Sequence, residues 1–285
     1  MPIRVSDIMT PEVVVISPKD TLARARNLML HHDISRLIVV DENLKPIGIL
    51  TETDIAMRVW EESGGKIART IDEILVEEVM SSPVIYIGPR TYIRNAAKIM
   101  IKRGISGLPV VDSNLKLLGI VTKTDLTRAY ALNYSGVLKV SEVMSSPVIT
   151  VFPSHTIYRV GRLMNQYKIS RVVVVDGKVP VGVVTKTDLT FVTLSFKPRR
   201  VKYIRETGER GRVTRTVKTF RIPIVADIMT SNPITINEDE DSAEAAKIMI
   251  EKRISGMPVV DDNNLLKGIV TKTDIVKAIL MLPPR

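Results

Sequence analysis

The chain has 285 residues, 45% hydrophobic and 25% charged, with three histidines and no cysteine. It is longer than one ordinary domain of about 100–150 residues, and its composition is globular; thiol catalysis, disulfide scaffolds, iron–sulfur clusters and cysteine zinc sites are excluded, and no metal site is expected. The net charge is +10, but residues 196–221 alone hold ten Lys/Arg against two Glu, so the remainder is nearly neutral.

Residues 1–72 set a pattern. An opening motif, DIMTPEVV from Asp7, leads into a β-branched run, Val13–Ile16. An amphipathic helix follows, with Leu22, Ala25 and Met29 on one face. Two strands, Leu37–Val40 and Ile47–Leu50, are joined by the polar turn DENLKP. A closing motif, GILTETD at Gly48–Asp54, then starts a second helix.

Residues 73–136 repeat this order. The opener is EVMSSPVI from Glu78, the helical face is Ile93, Ala96, Ala97, Met100 and Ile101, and the closer is GIVTKTD at Gly119–Asp125. Residues 137–195 give a third copy, from Glu142 to the closer GVVTKTD at Gly182–Asp188. Residues 196–222 break the series: β-formers alternate with cations on both sides of E-T-G-E, which predicts a protruding two-stranded hairpin. Residues 223–285 form the fourth copy, with DIMTSNPI from Asp227, a short strand at Ile234–Ile236 and GIVTKTD at Gly268–Asp274. Met9 to Asp54, Met80 to Asp125 and Met229 to Asp274 each span 45 residues, and Met144 to Asp188 spans 44.

The predicted fold class is therefore α/β, of the α+β type: four β-α-β-β-α repeats plus one basic β-hairpin insert. A unit of about 60 residues is marginal alone and should bury a face against a neighbour. Repeats 1 and 3 carry I-S-R (Ile34–Arg36, Ile169–Arg171), and repeats 2 and 4 carry I-S-G-x-P (Ile105–Pro109, Ile254–Pro258). This alternation predicts that repeat 1 pairs with 2, and 3 with 4, as two pseudo-twofold modules.

Thr51, Thr122, Thr185 and Thr271 stand just before a predicted helix, with Asp54, Asp125, Asp188 and Asp274 three residues on. Two readings apply. The residues can cap free backbone N–H groups. Alternatively, the helix N-terminus attracts phosphate, the hydroxyl adds a donor, and the carboxylate accepts from both vicinal hydroxyls of a ribose. Arg36 and Arg171 open an otherwise apolar strand, either as phosphate-binding forks or as surface cations at a strand edge. Ser35, Ser106, Ser170 and Ser255 precede the same strand in every copy. The opener methionines, Met9, Met80, Met144 and Met229, read as core filler. No nucleophile, acid–base pair or Walker or Rossmann loop stands beside the repeats, so an enzyme is not expected.

With all four openers, I-S-x-x-x-V-V-D strands and G-h-h-T-x-T-D closers in view, the chain resembles the cystathionine β-synthase (CBS) domain family. The resemblance covers nearly everything but about residues 196–222. It implies tandem pairs, or Bateman modules, with clefts for AMP, ADP or ATP, and in some members S-adenosylmethionine or methylthioadenosine. By position it implies ribose contacts at Asp54, Asp125, Asp188 and Asp274. It implies phosphate contacts at Thr51, Thr122, Thr185, Thr271, Ser35, Arg36, Ser170 and Arg171, with Ser106, Gly107, Ser255 and Gly256 as weaker candidates. The layout is similar to the γ subunit of AMP-activated protein kinase, where a His-Arg pair meets phosphate; here Ser replaces that His.

The functional expectation is a non-enzymatic energy or metabolite sensor that needs no cofactor and acts on a regulated protein partner. The alternative is a nucleic-acid or protein-docking module working through the hairpin at 196–222. No apolar run approaches about 18 residues, and MPIRVSDIMT has no apolar signal core; a soluble cytoplasmic protein is expected, with a homodimer left open.

Overall fold

The computed structural model describes residues 2–63, 69–189, 199–205, 213–219 and 223–282. The chain divides into two compact units, Met1–Pro147 with Ile234–Arg285, and Val148–Pro233.

In the first unit, repeat 1 begins with a 3₁₀ turn at Val5–Asp7 and a short strand β1 (Val15–Ile16). Helix α1 (Leu22–His32) starts where the Thr21 hydroxyl accepts the Arg24 N–H at 3.3 Å. Strands β2 (Arg36–Val40) and β3 (Pro46–Thr51) follow, then α2 (Glu52–Ser63). β1 runs parallel to β2, and β2 antiparallel to β3. The expected first strand, Val13–Ile16, is thus shorter than its β-branched run. Leu37, Val39 and Leu50 join Leu22, Ala25 and Met29 in one core. From the opposite sheet face, Ile38 and Val40 pack with Ile120 of repeat 2. The R-L-I-V-V strand is apolar on both faces because both are covered.

Repeat 2 supplies α3 (Ile93–Arg103), β4 (Gly107–Val111), β5 (Leu117–Thr122) and α4 (Lys123–Asn133). Its first strand shrinks to a single bridge, Ile87 to Val110. Past it, α5 (Val140–Val143) carries the opener of repeat 3.

In the second unit, β6 (Thr150–Val151), α6 (Ile157–Gln166), β7 (Arg171–Asp176) and β8 (Val179–Thr185) form the body of repeat 3. Its core gathers Val151, Val160, Met164, Val172, Val174 and Val184. Asp176 pairs directly with Val179, with Gly177 at φ +60° between them. This turn is one residue shorter than in the other repeats, which accounts for the 44-residue motif spacing. β9 (Arg199–Arg205) and β10 (Val213–Thr219) pair antiparallel in register from Arg199–Thr219 to Arg205–Val213, so the insert does contain the expected two strands. Its E-T-G-E turn lies outside the described residues. β11 (Thr230–Ser231), from the opener of repeat 4, adds to β8.

The body of repeat 4 returns to the first unit as β12 (Ile236–Asn237), α7 (Ser242–Glu251), β13 (Gly256–Val260), β14 (Leu266–Thr271) and α8 (Lys272–Met281). Here α3 and α4 pack against α7 and α8 as one helical core. The buried Tyr130 hydroxyl meets the Ser242 hydroxyl at 2.9 Å. The Arg94 guanidinium donates to the carbonyls of Ile279, Leu280 and Leu282, closing the C-terminal end of α8. This pairing of repeat 2 with repeat 4 through helices adds to the pairing read from the alternation.

Openers are exchanged between repeats. Thr10 of repeat 1 bridges Ile120 of repeat 2, and Ser81 of repeat 2 bridges Ile49 of repeat 1. Ser145, from the opener of repeat 3, bridges Ile269 of repeat 4. Thr230, from the opener of repeat 4, pairs with Val183 of repeat 3. The exchange follows the predicted scheme, 1 with 2 and 3 with 4. It also explains why opener and closer recur together: each opener methionine lies on the glycine of its partner's closer. A Cβ at Gly48 would come 2.5 Å from Met80 Sδ, and one at Gly182 would come 2.6 Å from Met229 Sδ. The methionines are packing residues, as expected.

Among the described residues no helix is long and apolar enough to cross a membrane.

Candidate functional site

Each closer is built the same way. The last strand ends on a Thr in extended backbone, and the next helix begins at once. The Ser carbonyl before the opposite strand holds the first helical N–H: Ser35 to Glu52 at 3.1 Å, Ser106 to Lys123 at 3.0 Å, Ser170 to Lys186 at 2.9 Å and Ser255 to Lys272 at 3.1 Å. That strand's first residue lies opposite the Thr: Arg36 to Thr51, Gly107 to Thr122, Arg171 to Thr185 and Gly256 to Thr271. Residues far apart in sequence, the Thr before each helix and the strand-opening pair expected with it at the phosphate, thus sit side by side in every repeat.

The four carboxylates cap their own helices. Oδ2 of Asp54, Asp125, Asp188 and Asp274 accepts the N–H of its Thr at 2.8, 2.8, 2.7 and 2.9 Å. The same oxygen accepts the Thr hydroxyl at 2.6, 2.6, 2.7 and 2.6 Å. The Thr proton is therefore committed to the carboxylate of its own repeat.

Beyond Oδ2 the repeats differ. Asp125 Oδ1 takes Arg128 Nη1 at 3.2 Å. Asp274 Oδ1 takes the Ser145 hydroxyl at 2.9 Å and Lys277 Nζ at 3.4 Å. These two residues are buried, at 5% and 3% exposure. Asp54 and Asp188 are only half-buried.

Arg36 leaves repeat 1 and ends over repeat 2. Its Nη1 donates to the Ser106 hydroxyl at 3.0 Å and its Nη2 to the Ser35 hydroxyl at 3.3 Å. A Cβ at Gly107 would lie 2.9 Å from Nη1. Glycine at position 107 therefore makes room for the guanidinium of Arg36, which gives the Arg/Gly difference between repeats 1 and 2 a physical reason. Burial pulls the Arg36 guanidinium below the usual arginine range, against the opposing pull of Asp125 and Glu52. Burial raises the Glu52 carboxyl, Arg36 lowers it and Asp33 raises it.

Sequence reasoning passed over the variable residue of T-x-T-D. In the first unit Lys123 Nζ donates to the Thr273 hydroxyl at 2.9 Å, and Lys272 Nζ to the Thr124 hydroxyl at 3.1 Å. The closers of repeats 2 and 4 thus clasp each other. Burial, with Arg36 and Lys277 nearby, holds Lys123 below the usual lysine range, while Asp274 raises it. Arg128 and Lys277, three residues after their Asp, were also passed over; Met57 at the same place in repeat 1 was the available signal. Among the described residues no cluster of three or more His, Asp or Glu could hold a metal ion.

The protein-family model for the CBS domain matches residues 5–61, 76–132, 140–194 and 225–281. The chain belongs to the CBS domain family. MJ1404, an uncharacterised protein of Methanocaldococcus jannaschii, is 30% identical over 280 residues, 96% of this CBS chain and 61% of its own length. The chain thus spans less than two thirds of that relative. MJ1225 of the same organism is 27% identical over 276 residues, 93% of this chain and 95% of the relative. Its crystal structure, described as that of a candidate archaeal homolog of γ-AMPK, matches with a TM-score of 0.77 at 24% identity, covering 97% of this chain and 99% of that one. A crystal structure from Pyrococcus horikoshii matches with a TM-score of 0.67 at 20% identity, covering 97% and 100%. Both structures share the four-repeat CBS fold.

Proposed function

We propose that this CBS protein is a non-enzymatic sensor that binds adenosine compounds, with AMP, ADP and ATP as first candidates and S-adenosylmethionine or methylthioadenosine as others. The supporting observation is Arg36. It is a guanidinium drawn between two repeats, lying beside Thr51 in register and against Ser106. The α2 and α4 N-termini begin at the residues after Thr51 and Thr122. Desolvated cations beside helix N-termini suit an anionic phosphate. A capping carboxylate that keeps an accessible acceptor site would take the hydroxyls of an attached ribose. A ligand held by both repeats would favour one packing of the pair over another, and a partner protein would respond to that difference.

Calorimetry and thermal shift with the five compounds test this reading. Saturable heat and a concentration-dependent rise in Tm are expected, with binding weakened by Arg36→Met. No heat and no shift with any of them would remove the proposal. A second reading rests on the paired strands β9 and β10, whose sequence holds Arg199, Arg200, Lys202, Arg205, Arg215 and Lys218. Loss of salt-sensitive RNA or DNA retention on deleting 199–221 would be its mark.

A further inference from the structure

The four closers share one capping motif, but their second carboxylate oxygens do not share one environment. A carboxylate that receives a sugar diol must offer acceptor sites that the diol can reach. In all four repeats Oδ2 is already engaged twice by Thr. What distinguishes them is Oδ1. In repeats 2 and 4 it is tied down, by Arg128 and by Lys277 with Ser145, in carboxylates that are almost fully buried. For Asp54 and Asp188, among the described residues, Oδ1 has no such partner, and both residues keep part of their surface.

Charge follows the same division. Repeats 1 and 3, whose Asp remains accessible, place Arg36 and Arg171 opposite the capping Thr. Repeats 2 and 4 place Gly107 and Gly256 there, and put a cation three residues after the Asp, on its own helix. Two features in different elements therefore alternate together. An arginine on the strand accompanies an open carboxylate, and a glycine on the strand accompanies a carboxylate neutralised from its own helix.

We propose that the adenosine sites belong to the closers of repeats 1 and 3, and that Arg128 and Lys277 determine this by closing Asp125 and Asp274 to a ribose. Asp125 and Asp274 serve as struts, holding α4 and α8 in the helical core that joins repeats 2 and 4. This rests on the adenosine-binding reading above and adds which closers take part and what excludes the others.

The test uses AMP as the probe on the full-length chain, with native mass spectrometry for stoichiometry and calorimetry for affinity. Asparagine is chosen because its amide oxygen can still cap the Thr N–H. Two AMP per chain are expected. The pair Asp54→Asn and Asp188→Asn should weaken binding at least about tenfold. The pair Asp125→Asn and Asp274→Asn should lower Tm and leave AMP affinity within about twofold. The pair Arg128→Met and Lys277→Met should raise the stoichiometry above two. Three or four AMP on the wild-type chain would overturn the inference, as would equal loss of binding from the two Asn pairs, or an unchanged stoichiometry in the Met pair. Each of these results leaves the adenosine reading standing. A chain that takes up no adenosine compound removes both.

Discussion

Gly48 and Gly119 hold equivalent places in repeats 1 and 2, yet a methyl group added at each would meet different atoms. At Gly48 it meets the flexible end of Met80, 2.5 Å from Sδ. At Gly119 it meets the backbone first, 2.7 Å from the Thr10 carbonyl oxygen, with Met9 Sδ at 3.2 Å. That carbonyl accepts the Ile120 N–H at 2.9 Å and cannot withdraw without breaking the bridge between the repeats. Overpacking costs about 1–3 kcal/mol in general. Gly119→Ala should fall at the high end and Gly48→Ala at the low end. Adding Met80→Ala should recover part of the loss at Gly48, and adding Met9→Ala should recover none at Gly119. Urea unfolding of the two double-mutant cycles measures this; equal rescue at both sites would contradict the packing described. The glycines were legible in the sequence as part of a motif. Their reason was not, because the atoms that exclude a side chain come from an opener on another repeat.

At the scale of elements, the strand turns of repeats 1, 2 and 4 are fixed by the Asp that ends V-V-D. Asp41, Asp112 and Asp261 each accept two backbone N–H groups through Oδ1: from Asn43 and Lys45 at 2.9 and 2.9 Å, from Asn114 and Lys116 at 2.8 and 2.9 Å, and from Asn263 and Leu265 at 3.0 and 2.9 Å. The fourth residue of each of these turns, Leu44, Leu115 or Asn264, is left-handed. For Asp261, the Leu265 N–H is the largest cause holding the carboxyl below its usual range, with Asn263 and Lys267 adding to it. A lowered folded-state pKa means the ionised form stabilises the fold above the ordinary carboxylate pKa of about 4, and that contribution is lost as pH falls through the lower value. Asp261→Asn should therefore be less stable than wild type at pH 7, with the gap closing as pH drops below about 4. Denaturation at a series of pH values reads it, and a gap that widens in acid would be the wrong sign. These turns were legible because D-x-N is local chemistry. The first strands were less so, since a β-branched run states a propensity while pairing depends on the neighbouring strand.

For the whole first unit, the deciding feature is that the largest core belongs to two repeats jointly. Tyr130 and Ala129 of α4 lie with Ala245, Ala246 and Met249 of α7 and Ile275 and Ile279 of α8. The sequence carried the pairing of repeats 1 and 2, because I-S-R against I-S-G marks a contact in which one side supplies a side chain and the other yields space. It did not carry the pairing of 2 with 4. An apolar stripe on α3 or α7 looks the same whether it covers its own sheet alone or also another helix. The consequence concerns truncation. A fragment of residues 1–147 keeps both sheets of the first pair and the Arg36–Ser106 contact, but loses the helices that cover Tyr130 and Ala129. Tyr130 also loses the Ser242 hydroxyl, leaving its phenol without that partner. Such an exposed apolar face drives association. The fragment should sediment as a dimer or larger at micromolar concentration and bind an apolar dye. Tyr130→Arg with Ala129→Glu in the fragment should restore a monomer by placing charge on the uncovered face. A wild-type fragment that stays monomeric and takes up no dye would mean that repeats 1 and 2 suffice for their own core, and that repeat 4 adds no more than a contact.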